Sequence, residues 1–194
     1  RLVEVFFNQP SEANPSISYG DYRGVYVLLE KIKRSKDRVD IEKLEACDTA
    51  PNLITGGYIF KKDKASTDPD FATANGQLLQ LTEPEVAVGS PHWTWIRDHV
   101  NAFETALYGP NFADPATGFR AYIDDRSFQD NELWVEIFKQ IDGYRLSTYF
   151  HKDRGQKIKA APVWDYNLSG GNADYLAGWN YRGWYRDAGI SSGQ

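Results

Sequence analysis

The spacing of apolar residues predicts two amphipathic helices in this chain. The first is predicted over residues 94–108, with a stripe of apolar residues at helical spacing, namely Ile96, Val100, Phe103 and Leu107. The second is predicted over residues 127–141, where Ser127 and Asp130 resemble a capping box. Its apolar stripe, which we expect to be buried, consists of Trp134, Ile137, Phe138 and Ile141.

Runs of β-branched and aromatic residues predict strands on both sides of these helices. Residues 2–8 and 22–29 predict an antiparallel hairpin, and residues 57–60 predict a strand that ends at Lys61 and Lys62. The polar stretch 63–92 contains one further short strand around Leu78. Residues 148–151 and 157–163 predict a second hairpin that turns through residues 152–155. The pattern therefore indicates an α+β fold.

Two carboxylates lie where these predicted elements end. Asp142 follows the second helix, and Asp165 closes the second hairpin just before a Gly-rich stretch. Protein kinases use the same order: a catalytic Asp, a polar metal ligand five residues later, a hairpin and a metal-binding Asp. Ser147 takes the second of these positions. The alternative is that Asp142 caps a helix end and Asp165 is an ordinary surface carboxylate.

The position of Asp142 has an electrostatic consequence. A helix C-terminus carries negative partial charge, which disfavours a carboxylate unless a cation compensates. Arg145 or Mg²⁺ is the expected cation.

Composition narrows the possible functions. At 194 residues with 41% hydrophobic residues the chain fits one domain with a real core. Its net charge of −5 argues against a general role on nucleic acid. There is no run of 18 apolar residues, so we expect no membrane span. The single cysteine, Cys47, excludes an internal disulfide, and the three histidines lack metal-ligand spacing.

Five segments resemble the spore-coat-protein-H (CotH) kinase family, and they occur in the family's order: residues 24–33, 38–41, 56–62, 142–149 and 162–174. The resemblance implies an atypical protein-kinase-like, two-lobed fold that binds ATP and Mg²⁺ or Mn²⁺ and phosphorylates Ser or Thr hydroxyls of a protein. It also implies a bacterial protein outside the cell or on the cell or spore surface. We expect a single domain over residues 1–194, acting as a monomer.

Within that family plan, residues 1–62 would form the end of the small lobe and the hinge, and residues 63–194 the large lobe with the catalytic stretch 142–174. The N-terminal part of the small lobe, with its phosphate loop and its ATP-pairing Lys, would then be absent from this chain. Adenine would meet the backbone of Glu30, Lys31 and Ile32, and Lys61 or Lys62 would replace the missing Lys. Alternatively, residues 31–38 form a solvated charged connector, and Lys61 and Lys62 are a surface pair at the end of a strand.

The resemblance also assigns roles within the catalytic stretch. Asp142 would be the catalytic residue, and Asp165 would bind the metal with Asn167 or Ser147 as a weaker second ligand. Many members have Asn in place of Ser147 and Asp in place of Asn167, so both departures weaken the expected metal site. Asn172 and Asp174 are further candidates for contact with metal or substrate, the alternative being turn chemistry.

Two other functions stay open at this point. The weakened ligands also fit a non-catalytic binding module, either a pseudokinase or an accessory domain of a secreted assembly. The aromatic C-terminal segment could stack sugars, although we expect it to pack against the large lobe; its members are Tyr175, Trp179, Tyr181, Trp184 and Tyr185.

Overall fold

The computed structural model describes residues 1–8 and 16–189, and the chain divides into two compact units after Ile32. The first unit holds an antiparallel hairpin of β1 (Leu2–Phe6) and β2 (Tyr22–Val27). This confirms the predicted hairpin, although each strand ends two residues earlier than expected.

The second unit is built on a five-stranded antiparallel sheet. Its strands are β3 (Tyr58–Lys62), β4 (Asp70–Ala72), β5 (Leu78–Glu83), β6 (Thr148–Lys152) and β7 (Ile158–Val163). The spatial order is β4-β5-β3-β6-β7. The predicted β6–β7 hairpin is confirmed. The three-residue strand β4 was not predicted, because so short a strand has almost no periodicity to detect.

β3 is the central strand, and its sequence explains why. Tyr58, Ile59 and Phe60 are all buried, as expected for a strand covered on both faces. Since β3 pairs with β5 and β6, the expected boundary between residues 62 and 63 does not coincide with the division after Ile32. The assignment of the two kinase lobes stays a prediction.

The first helix, α1 (Pro91–Tyr108), covers one face of this sheet. It begins three residues earlier than predicted because Ser90 is the N-cap and accepts a hydrogen bond from the Trp93 amide. Ile96 and Val100 are buried from its stripe and join the core that includes Phe60 and Leu81.

The second helix, α2 (Asp125–Phe138), differs from the prediction in its cap, in its buried face and in its end, which comes three residues before the predicted residue 141. Asp124, rather than Ser127, is the N-cap. The prediction that this apolar stripe is buried is wrong within the helix, because Trp134, Ile137 and Phe138 are 49%, 71% and 38% exposed. The residues that α2 buries are Val135 and Glu136, and Ile141 is buried only beyond the helix end.

The reason lies in the hydrogen-bond partners of Glu136. Glu136 finds hydrogen-bond donors that make its burial favourable, as described below, so α2 turns a mixed face inward. Lys139 then adopts a left-handed conformation and ends the helix.

A short helix, α3 (Tyr185–Gly189), contributes to a second core cluster of Val135, Ile141, Ala173 and Tyr185. The prediction that the aromatic C-terminal segment packs against the large lobe holds, as far as burial is concerned, only for Tyr185. The other four members remain exposed: Tyr175, Trp179, Tyr181 and Trp184. The fold is α+β, as predicted. Among residues 1–8 and 16–189, no helix combines the length and apolar character needed to cross a membrane.

Candidate functional site

Asp142 lies in residues 139–147, between α2 and β6, which we call the catalytic turn after the role predicted for Asp142. Its carboxylate is buried and accepts a hydrogen bond from the Arg145 guanidinium at 2.9 Å, so the expected compensating cation is present. Gly143 follows because the turn presses on α2: a Cβ at this position would approach a methyl carbon of Val135 to 2.4 Å. The turn thus holds Asp142 on rigid, packed backbone.

Gln140 connects Asp142 to Asp165. This side chain is completely buried, and its Oε1 accepts from the Asp142 amide at 3.1 Å. Its Nε2 donates to the Asp165 carbonyl at 2.8 Å. The side-chain amide of Gln140 therefore links the backbone of Asp142 to that of Asp165, 23 positions further along the sequence. Sequence reasoning missed Gln140, because a polar residue near a helix end is ordinarily exposed and nothing in its spacing marks it.

Asp165 occupies an unusual backbone conformation. Its φ of 57° and ψ of 51° lie in the left-handed region, and it precedes a 3-10 turn formed by Tyr166–Leu168. Such strain in a non-glycine residue is typical of functional sites. Its side chain is exposed and has no hydrogen bond or ion pair with any residue that the structure describes. The carboxylate is thus available to a ligand.

The two weaker candidates differ in exposure. Ser147 is buried at a φ of 52°, and Asn167 is exposed within the 3-10 turn. Within residues 1–8 and 16–189 no three His, Cys, Asp or Glu side chains gather into a metal-binding group. Magnesium does not require such a cage, because it retains waters and binds through one or two carboxylates plus substrate phosphates. The unpaired Asp165 carboxylate fits that donor set.

Lys62 reaches the catalytic turn from the end of β3. It lines a cavity of about 550 Å³ whose wall also includes Gly143, Tyr144 and Thr148. Its ammonium donates to Gln77 Oε1 at 2.6 Å and lies 3.5 Å from the Tyr144 carbonyl oxygen. Burial lowers the pKa of Lys62 below its ordinary value, since no carboxylate in the described part of the chain pairs with it.

The remaining nucleotide-site candidates lie elsewhere. Lys61 points away from this cavity and pairs with Asp68 at 2.8 Å. Burial alone would lower the pKa of Lys61, but the hydrogen bond and charge of Asp68 raise it above its ordinary value. Glu30, Lys31 and Ile32 are the last residues of the first unit, in a stretch without regular secondary structure. Their role stays a prediction.

A buried carboxylate anchors the catalytic turn to the C-terminal segment. Glu136 accepts hydrogen bonds from the Tyr144 hydroxyl at 2.7 Å and from the amides of Tyr185 and Arg186. The Tyr185 hydroxyl donates to the Ile141 carbonyl at 2.6 Å, and its ring stacks on Tyr144. The predicted apolar stripe of α2 does not include Glu136, and nothing in the sequence pattern marks this contact.

The sequence as a whole identifies the family. A model described as CotH kinase protein matches residues 1–191. The chain belongs to the CotH kinase protein family. Membership indicates a kinase-like role for this domain. No curated protein and no solved structure matches the chain significantly.

Proposed function

We propose that this CotH-family chain binds ATP with Mg²⁺ or Mn²⁺ and transfers the γ-phosphoryl group to a Ser or Thr hydroxyl of a protein. The observation that carries the proposal is the cavity between Lys62 and the catalytic turn, whose lining includes Gly143 and Tyr144, the neighbours of Asp142, but neither Asp142 nor Asp165 itself. Its volume, about 550 Å³, lies within the range of roughly 300–1,000 Å³ common for small-molecule sites. Aromatic residues such as Phe60, Phe128 and Phe150 line it and suit a purine ring.

Each polar residue has a role that follows from its surroundings. Lys62 is a desolvated cation inside the cavity and would contact phosphate oxygens. Asp165 would hold the metal ion, which neutralises charge on the phosphates when bound. Asp142 would orient the acceptor hydroxyl and take its proton as the hydroxyl oxygen bonds to the γ-phosphorus. The bond from the γ-phosphorus to the β,γ-bridging oxygen breaks, and ADP leaves.

Positioning and charge neutralisation account for catalysis in this scheme, since no covalent intermediate with the protein is required. Arg145 holds one oxygen of Asp142, and Gln140 holds the backbone of both Asp142 and Asp165. The surroundings of Asp142 and Asp165 therefore suit different roles. Asp142 is buried and paired, whereas Asp165 is exposed and unpaired among the described residues.

A second candidate function is nucleotide binding without phosphoryl transfer. The ion pair between Asp142 and Arg145 favours it, because Arg145 already occupies one oxygen of the carboxylate that phosphoryl transfer would use. Ser147 and Asn167, which are weaker ligands than Asn and Asp, favour it as well. The two functions share the cavity and differ only in the final step.

The test compares thermal unfolding with ATP, with and without Mg²⁺ or Mn²⁺, for four proteins: the unmodified chain, Asp165→Ala, Lys62→Ala and the control Asp98→Ala. Asp98 is exposed on α1, and among the described residues it pairs only with the neighbouring Arg97. A native-state ligand at 100 times its Kd stabilises the fold by about 2.7 kcal/mol. We expect a metal-dependent shift that Asp98→Ala retains and the other two variants lose.

Turnover is measured separately with γ-labelled ATP and a Ser- and Thr-containing protein such as casein. Asp142→Asn is expected to keep the metal-dependent thermal shift and to lose transfer by at least about a hundredfold. Binding without transfer in the unmodified chain would support the second candidate. No thermal shift with either metal, or an unchanged shift in Asp165→Ala, would overturn the nucleotide site.

A further inference from the structure

A second cleft lies just after the 3-10 turn that follows Asp165. It has a volume of about 370 Å³ and is lined by Gly171, Asn172, Ala173, Asp174 and Trp179. None of these residues borders the cavity that contains Lys62. Trp179 is 60% exposed, so its ring presents a large apolar surface to solvent. The exposure of Trp179 contradicts the prediction that the aromatic segment packs against the large lobe.

The loop that carries Trp179 is tightly built. Leu176 and Ala177 have φ values of 50° and 54°, a conformation that costs free energy in residues other than glycine. Gly178 is buried against the second core cluster, where a Cβ would lie 2.8 Å from the Ala173 side chain and 3.0 Å from that of Ile141. The packing of Gly178 therefore fixes the backbone beside Trp179, and the ring is held next to Asn172 and Asp174.

The polar groups of the cleft are available for a ligand. The Asp174 carboxylate is exposed and has no hydrogen bond or ion pair to any described residue. Asn172 donates one amide hydrogen to the Asn167 carbonyl at 2.7 Å, which fixes its side chain. Its second amide hydrogen and its Oδ1 have no partner within residues 1–8 and 16–189, so the cleft offers both a donor and acceptors beside a flat apolar ring.

We infer that this cleft binds a saccharide, with the C–H face of a pyranose ring on Trp179 and ring hydroxyls bonded to Asp174 and Asn172. A hydroxyl group both donates and accepts hydrogen bonds, and so matches a carboxylate next to an amide. A nucleotide is disfavoured in this cleft because its phosphates would meet the Asp174 carboxylate, and no Lys or Arg is among the residues that line it. The cleft shares no lining residue with the cavity of Lys62, and a saccharide site there would add a binding function to the domain.

The experiment is isothermal titration of the full chain with three disaccharides: cellobiose, maltose and N,N′-diacetylchitobiose. ATP and divalent metals are omitted, so failure of the nucleotide site does not affect the result. The variants are Trp179→Ala, Trp179→Phe and Asp174→Asn. Trp184→Ala is the matched control, because Trp184 is 51% exposed in the same segment and lines neither cleft. L-argininamide is titrated as a cationic probe for the same pair of side chains.

We expect at least one disaccharide to bind with a Kd of roughly 0.1–5 mM. Trp179→Ala is expected to weaken binding by at least about tenfold and Asp174→Asn by about fivefold, with Trp179→Phe intermediate and Trp184→Ala within about twofold of the unmodified chain. Trp179→Phe keeps a ring in the loop and so separates stacking from misfolding. Absence of binding by all three disaccharides, equal loss in Trp184→Ala, or binding of argininamide alone would overturn the saccharide site.

Discussion

At the residue scale, Gln140 gives a test of the catalytic turn that needs no ligand. Replacing it by Leu keeps the volume but leaves the buried Asp142 amide and the Asp165 carbonyl without their partner. An unsatisfied buried group costs about 1–3 kcal/mol and only the Asp142 amide is fully buried, so we expect Gln140→Leu to lower the free energy of unfolding by about 1–3 kcal/mol. Urea denaturation measures this change.

Gln129→Leu is the matched control for this prediction, since Gln129 is exposed on α2 and the change is chemically identical. It is expected to alter stability by less than about 0.5 kcal/mol. Equal effects of the two substitutions would show that Gln140 does not hold the catalytic turn in solution.

Residue spacing located the two carboxylates but not the groups that hold them. Asp142 and Asp165 follow predictable elements, and Arg145 was recognisable as a cation close in sequence. Gln140 and Glu136 were not recognisable, because their partners lie 25 and 49 residues away. A polar residue that is buried by distant partners has the same local sequence pattern as one that is exposed.

At the element scale, the β1–β2 hairpin contrasts with the five-stranded sheet. No residue of β1 or β2 is buried, whereas Tyr58, Ile59 and Phe60 of β3 are fully enclosed. An isolated two-stranded hairpin is at best marginally stable. We therefore expect amides of β1 and β2 to exchange with deuterium at least about a hundredfold faster than those of β3, as measured peptide by peptide with mass spectrometry. Protection of β1 equal to that of β3 would contradict this expectation.

The elements themselves were largely predictable, and the exception is instructive. α1 follows its apolar stripe because Ile96 and Val100 meet only apolar partners in the core. In α2 the apolar residues Trp134 and Ile137 stay outside, because Glu136 on the other face finds three hydrogen-bond donors. Periodicity identified a helix but not which face it would bury, since that choice depends on the C-terminal segment.

At the scale of the second unit, Glu136 joins α2, the catalytic turn and α3. Burial alone would raise the pKa of this carboxyl, but hydrogen bonds from Tyr144, Arg186 and Tyr185 together hold it below the ordinary value of 4.5. Unfolding releases these bonds. The resulting stabilisation is thus present above about pH 4.5 and is lost as the pH falls through the lowered pKa of the folded state.

We predict that Glu136→Gln destabilises the fold by about 2–3 kcal/mol at pH 7, because an amide has one acceptor oxygen for three donors. The variant should also lose less stability than the unmodified chain between pH 5 and pH 3, since its side chain no longer titrates. Glu132→Gln is the control: Glu132 is half exposed one turn earlier on α2 and pairs with the same Arg186. Its effect is expected to stay below about 1 kcal/mol.

Hydrogen exchange should then accelerate in Glu136→Gln at both residues 143–145 and residues 185–187. Acceleration in only one of these segments would show that the carboxylate does not couple the catalytic turn to the C-terminal segment.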